Sequence, residues 1–137
     1  MTALLLDTCA AIWILKNGPL SDQAVAALDE AADRSEDVFI SPITAWEFGL
    51  QKARGRAAFA IEPRVIFANL SAIAGISIAG LSPEVLIAST ELPGFDNRDP
   101  ADRILIATAR EYGLRIVTRD QKILDYADKG HVMALAC

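Results

Sequence analysis

Five acids stand where a carboxylate is either surplus to folding or awkward for it: Asp7, Glu47, Asp99, Asp102 and Asp120. Asp7 closes Ala3-Leu4-Leu5-Leu6, a continuous apolar run of the kind found in strands buried on both faces. Glu47 fills the i+4 slot of the stripe Ile43, Trp46, Leu50, where an apolar residue is expected, and a carboxylate bordering a buried stripe is costly without a partner. Asp99 and Asp102 fall at the N-cap and N3 of a helix opened by Asp99-Pro100-Ala101-Asp102-Arg103. Asp120 lies just past the β-branched run Leu114-Arg115-Ile116-Val117-Thr118. Carboxylates converging without cations repel one another, and some stay protonated. An all-oxygen set suits Mg²⁺ or Mn²⁺, ions that generate hydroxide near neutral pH and stabilise in-line attack on phosphorus. That chemistry needs no histidine, and the chain has only His131. A phosphodiester is the natural substrate class.

Each acid also has an ordinary task. Asp7 suits a strand-end turn, Asp99 a plain helix cap, Asp102 the positive end of the helix dipole, Asp120 the cap of a short following helix, and Glu47 a single exception of a kind common on amphipathic helices. What separates the functional reading from these is a shared predicted location. In a sheet of mostly parallel strands, ligands collect at the carboxyl ends of the strands, and all these acids are expected on that rim.

The elements that place them read off in order. Thr8 is expected to cap a short helix carrying Ile12, Trp13 and Leu15, stopped by Asn17-Gly18-Pro19. Ser21 caps a second helix, with Val25 and Leu28 expected on its buried side. Val38-Phe39-Ile40 is a short strand, and Ser41-Pro42 starts the Glu47 helix, which runs to about Arg54. Pro63 begins a helix to Gly75, Ile76-Ser77-Ile78-Ala79 is a strand, and Ser82-Pro83-Glu84 opens another helix that closes at Leu92-Pro93-Gly94. In the late helix, Ala101, Leu105, Ala109 and Tyr112 form one apolar stripe ended by Gly113. A helix from Lys122 to Tyr126 and a strand from His131 to Ala136 complete the chain. Strands alternating with helices indicate an α/β fold, a mostly parallel sheet covered on both faces.

At 137 residues and 53% hydrophobic composition, the chain is expected to be one domain, 1–137, with a sizeable core. No apolar run reaches the ~20 residues of a membrane span, and the N-terminus lacks the basic region of a signal peptide. Cys9 and Cys137 are expected as free thiols in a reducing, cytoplasmic setting, with Cys9 packed as a small buried side chain. The net charge of −5 argues against a protein that coats nucleic acid, but acids gathered for cations inflate such a count.

Asp7 after the first strand, Glu47 in a helix 40 residues on, Asp99-Pro100-Ala101-Asp102-Arg103, and Ile116-Val117-Thr118-Arg119-Asp120 together resemble the PIN-domain nucleases. The likeness is in particular to the VapC-like toxins of bacterial toxin–antitoxin pairs, and it spans the whole chain. The resemblance implies a three-layer α/β/α fold and a Mg²⁺- or Mn²⁺-dependent endoribonuclease with one or two ions per site. It maps the family's acids onto Asp7, Glu47, Asp102 and Asp120, with Asp99 in support, and sets the Thr118 hydroxyl beside the metal site. It also implies homodimers, and a small antitoxin whose C-terminal segment docks beside the active site and blocks it. Ala101 departs from the pattern, since members often carry an aromatic there.

Thr118, Arg103 and Arg119 are the candidate substrate contacts, with a structural ion pair as the other reading of Arg103. Lys52, Arg54, Arg56 and Arg64 suit either RNA phosphates or the C-terminal end of a helix dipole. Trp13 and Trp46 are able to stack on bases, but Trp46 lies on an apolar stripe and is expected in the core, and Trp13 in the core or an antitoxin groove. His131 has no assigned role. Two rival readings are weighed against the nuclease. A haloacid-dehalogenase-like phosphatase needs Asp-x-Asp where Asp7-Thr8-Cys9 stands, and a receiver-type phosphoacceptor needs an acidic pair and a late lysine that Arg119 and Lys122 replace poorly. The other rival is an inactive PIN-like binding module whose acids hold a structural ion or a partner's arginine.

Overall fold

A computed structural model describes residues 2–137. Its strands are β1 (Leu4–Leu6), β2 (Val38–Ile40), β3 (Ile76–Ile78), β4 (Arg115–Thr118) and β5 (Met133–Ala136). They form one sheet in the order β3-β2-β1-β4-β5, and every neighbouring pair is parallel. The helices are α1 (Thr8–Leu15), α2 (Asp22–Asp33), α3 (Pro42–Ala53), α4 (Pro63–Ser71), α5 (Pro83–Thr90), α6 (Pro100–Tyr112) and α7 (Gln121–Asp128). Among the described residues no helix is long and apolar enough to cross a membrane.

The alternation of strand side chains divides the core into two. Leu5 and Ile116 face a cluster with Val85 of α5, Leu105, Ile106 and Ala109 of α6, and Ile123 of α7. Leu4, Leu6 and Val117 face the opposite cluster, built with Ala10 and Ala11 of α1, the alanines of α2, Phe48 of α3, and Ile66 and Leu70 of α4. Helix α3 contributes to both, through Ile43 on one side and Phe48 on the other. It therefore straddles the two layers of helices rather than lying flat on one.

The chain starts at the centre of the sheet, steps outward through β2 to β3, then returns to the other side of β1 with β4 and β5. The direction of stepping reverses between β1 and β4, and a crevice opens beyond the carboxyl ends of strands at such a reversal. β1 leads directly into Asp7, and β4 leads into Arg119 and Asp120.

The helix starts follow their caps: Ser21, Ser41, Ser82, Asp99 and Asp120 each accept a hydrogen bond from a backbone N–H of the following turn. At α1 the cap is Asp7 rather than Thr8, since its carboxylate accepts from the Ala10 N–H. Three buried faces also differ from their apolar periodicity. In α2 the buried residues are Ala24, Ala27 and Ala31, with Val25 44% exposed; small side chains let this helix lie close to its neighbours. In α6, Ala101, Leu105 and Ala109 are buried, but Tyr112 emerges at the C-terminal end and its hydroxyl donates to the Gly80 carbonyl at 3.0 Å. In α3 the buried face is Ile43, Thr44 and Phe48, which turns Trp46 outward at 47% exposure.

Candidate active site

Asp7 sits at the seam between β1 and β4. Its N–H donates to the Val117 carbonyl at 3.1 Å, fixing the backbone to the end of β4. Its side chain is 6% exposed and fully engaged: one carboxylate oxygen accepts from the Ala10 N–H at 2.7 Å, the other from the Thr118 hydroxyl at 2.5 Å. The Thr118 hydroxyl in turn accepts from the Asp120 N–H at 3.0 Å, so one buried oxygen ties two of the acids together. Asp120 also caps α7 by accepting from the Lys122 N–H at 2.8 Å.

The other two acids arrive on helices, Glu47 on the straddling α3 and Asp102 on α6. Glu47 projects from α3 and accepts a hydrogen bond from the Thr8 hydroxyl, which is itself 3.1 Å from the buried Thr44 hydroxyl. Asp102 lies in the first turn of α6, and its Oδ2 accepts from the Asn97 amide at 2.9 Å. Asn97 works twice, because its Oδ1 accepts from the Asp99 N–H at 3.0 Å while Asp99 caps the helix through the Ala101 N–H at 2.9 Å. The Asx turn at Asn97 and the proline at Pro100 thus set the angle at which Asp102 enters.

Asp7, Glu47, Asp102 and Asp120 line one cavity of about 270 Å³, together with Thr8, Cys9, Leu105 and Arg119. Burial raises the Asp7 carboxyl above its ordinary range, with the Thr118 and Ala10 hydrogen bonds opposing and Asp120 adding to the rise. Burial likewise raises Glu47, against the Thr8 hydrogen bond, and Asp99 and Asp7 push it the same way. Asp102 is pushed up to about 7, first by burial and then by Asp99 and Asp120. Among the described residues, the ion pairs are Arg34–Glu30 and Lys52–Glu62, so none of these acids is neutralised by one.

Among the described residues no three acidic, histidine or cysteine side chains stand close enough together to hold an ion as placed. Their oxygens are turned instead onto the Thr118, Thr8 and Asn97 donors. The donor set nonetheless fits a hard divalent cation. It is all oxygen, it comes from four separate elements, and its mutual repulsion is what a 2+ charge would relieve.

Sequence comparison decides the lineage: the profile of the PIN domain matches residues 4–129. The chain belongs to the PIN-domain family. It is similar to Ribonuclease VapC22 of Mycobacterium tuberculosis, with 28% identity over 124 residues, 90% of this chain and 91% of that protein. The same PIN-domain fold recurs in the structure of VapBC2 from Rickettsia felis bound to a promoter DNA fragment. The TM-score there is 0.70 at 14% identity, covering 98% of each chain. DNA-bound VapBC from Salmonella typhimurium gives a TM-score of 0.66 at 18% identity, covering 99% of this chain and 98% of that one.

Within this PIN domain, the geometry sorts the remaining candidates. Arg103 is not at the cavity. Its Nε donates to the Ser89 carbonyl and its Nη1 to the Phe95 and Asn97 carbonyls, all within 2.9 Å, so it holds the loop that presents Asn97. Thr118 is completely buried and cannot touch a substrate; it positions Asp7 and Asp120. Arg119 does line the cavity, with its guanidinium over the Trp13 ring at 4.3 Å and an Nη2 bond to the Pro19 carbonyl. Gly18 makes room for this stack, since any Cβ there would collide with the Trp13 ring. Cys9 is exposed at the cavity rather than packed, because it falls on the outer face of α1. Both cysteines are free thiols. His131 stacks on Tyr126 with centroids 4.7 Å apart.

Sequence reasoning passed over three side chains that hold the acids. Thr8 and Thr44 steady Glu47, and Asn97 steadies Asp102. Thr8 directly follows Asp7, and Asn97 stands two residues before the Asp-Pro helix start, so both border acids already singled out. Thr44 carried no such signal.

Proposed function

We propose that this PIN domain is a divalent-metal-dependent endoribonuclease acting as the toxin of a toxin–antitoxin pair. The observation that carries the reading is the meeting of Asp7, Glu47, Asp102 and Asp120 in one cavity at the β1–β4 reversal, with no ion pair among the described residues to neutralise them. The kinship with Ribonuclease VapC22 supports RNA as the substrate, and the VapBC neighbours support a small antitoxin partner. The homodimer belongs to the same proposal.

Mg²⁺ or Mn²⁺, one or two ions, would be held by Asp7, Glu47, Asp102 and Asp120, with Asp99 adding negative potential from the rim. When bound, the ion supplies Lewis acidity for hydrolysis of a phosphodiester to a 5′-phosphate and a 3′-hydroxyl. The chain's own groups do the rest. Thr118 holds the Asp7 carboxylate at the cavity wall, Asn97 holds Asp102, and Thr8 holds Glu47, and an arriving cation would compete with these donors for the oxygens. Arg119 is the cation of the cavity lining, and moving off Trp13 it would meet a phosphate oxygen of the substrate.

The test is cleavage of RNA in Mg²⁺ or Mn²⁺ against EDTA, with antitoxin removed and Asp7→Asn beside wild type. Cutting that depends on metal and is lost in Asp7→Asn is the expected result. Equal cutting by both proteins would overturn the assignment.

A further inference from the structure

Glu47 lines both the cavity of carboxylates and a second, wider groove of about 560 Å³. Trp46, Leu50, Arg54 and Arg56 line it from the α3 side, with Asp99 and Pro100 opposite. Three observations here call for an occupant. Trp46 leaves 47% of a large aromatic surface in solvent, one residue from a proposed metal ligand. Arg54 and Arg56 are exposed and, among the described residues, neither enters an ion pair, whereas nearby Lys52 is spent on Glu62 at 2.5 Å. And these two cations are grouped on an otherwise acidic chain, with net charge −5, directly beside its most acidic cavity.

We infer that this groove holds the single strand flanking the scissile phosphate, with one base stacked on Trp46 and the next phosphates on Arg54 and Arg56. The inference rests on the nuclease reading and deepens it. Glu47 is common to both linings and Trp46 is its chain neighbour in the groove, so a strand leaving the cavity past Glu47 would run onto the indole. An indole takes any base by its π-face, and arginines take phosphate oxygens whatever the sequence, so this subsite selects an unpaired strand rather than a base order. A duplex keeps its bases stacked inside and has nothing to offer Trp46. The Leu50 and Pro100 walls are apolar, which suits the edge of a base.

The experiment uses Trp13→Phe/Asp7→Asn protein, in which Trp46 is the sole tryptophan and the metal site is disabled, with a short single-stranded RNA of mixed sequence. The RNA is expected to quench Trp46 emission, and double-stranded RNA to leave it unchanged. In the Asp7→Asn background, Trp46→Ala should weaken binding by roughly 5- to 30-fold in fluorescence anisotropy, with Trp46→Phe within about threefold of the parent. Arg54→Ala and Arg56→Ala should each lower the slope of log K against log salt by about 0.7. Trp46 is exposed, so the melting temperature of Trp46→Ala should stay at the parent value and separate lost binding from lost folding. RNA bound with unchanged Trp46 emission, or bound as tightly by Trp46→Ala, would overturn the proposal and leave the groove to a protein segment. Failure of the nuclease reading shows elsewhere, as a wild-type protein that cuts no RNA in Mg²⁺ or Mn²⁺.

Discussion

The two ends of the central sheet both carry hollows, and the larger one is at the end away from the clustered acids. At the amino ends of β4 and β5, Arg110, Arg115, His131 and their neighbours line a hollow of about 750 Å³. At the carboxyl ends of β1 and β4, the acidic cavity is about 270 Å³. What differs is how the charged groups are held. Among the described residues the buried Nε of Arg115 has no hydrogen-bond partner, and Arg110 is spent on the His131 carbonyl. At the carboxyl end, Asp7, Glu47 and Asp102 are each gripped by a side-chain donor that fixes orientation without neutralising charge. Like charge gathered in this way is expensive to maintain, and helix capping accounts for Asp7 and Asp120 but not for Glu47.

The sharpest way to break this contrast is to neutralise one acid. Outer partners of a metal ligand are worth about 10- to 100-fold, so Asp102→Asn or Asp7→Asn should cut the cleavage rate by at least about 100-fold. Gel assays of RNA cleavage in Mg²⁺ measure it. A residual rate within tenfold of wild type would remove that carboxylate from the site.

The next effect tests the grip itself. Thr118→Val keeps the volume but removes the hydroxyl between Asp7 and Asp120. It should raise the Mg²⁺ concentration needed for half-maximal cleavage by about 10- to 100-fold, with much of the rate recovered at saturating metal. If cleavage falls without any change in metal dependence, Thr118 supports the fold rather than the metal site.

Much of the frame behind these effects was legible in the sequence because it is local. Ser41-Pro42, Ser82-Pro83 and Asp99-Pro100 open α3, α5 and α6 as their caps require, and Gly113 ends α6 in the left-handed region at φ 67°. The acids were legible for a related reason: each broke a local pattern or exceeded a local need. What stayed hidden depends on how elements meet. Trp46 belongs to an apolar stripe by spacing, but α3 straddles two cores, so its buried face is rotated toward Ile43, Thr44 and Phe48. Cys9 and the hydroxyl grip of Thr44 on Thr8 likewise depend on where α1 and α3 cross, which no single stretch records.

A third effect reads the stored repulsion as stability. Burial first, then Asp99 and Asp120, push the Asp102 carboxyl from an ordinary 3.8 up to about 7, so between these values the folded state holds a proton that the unfolded state has released. Stability from this group is therefore full below about 3.8 and is lost as pH rises toward 7. Asp102→Asn stays neutral throughout. In EDTA its melting temperature should gain on wild type progressively from pH 4 to 7 and no further above it, and Mg²⁺ should close the gap by stabilising wild type. A gap that is constant with pH would mean that Asp102 is not under charge stress.

The smallest effect belongs to the other end of the sheet, and its smallness is the point. Arg115→Met keeps the aliphatic stem of a half-buried side chain while removing the buried Nε, which has no partner among the described residues. The lost charge and the relieved polar burial oppose each other, so the unfolding free energy should move by no more than about 0.5 kcal/mol. RNA cleavage should match wild type at every Mg²⁺ concentration. Denaturant melts and the same cleavage assay check both halves. If Arg115→Met instead shifted metal dependence as Thr118→Val does, the amino-end hollow would be coupled to the acids through β4, and the division of the sheet into a chemical end and an inert end would fail.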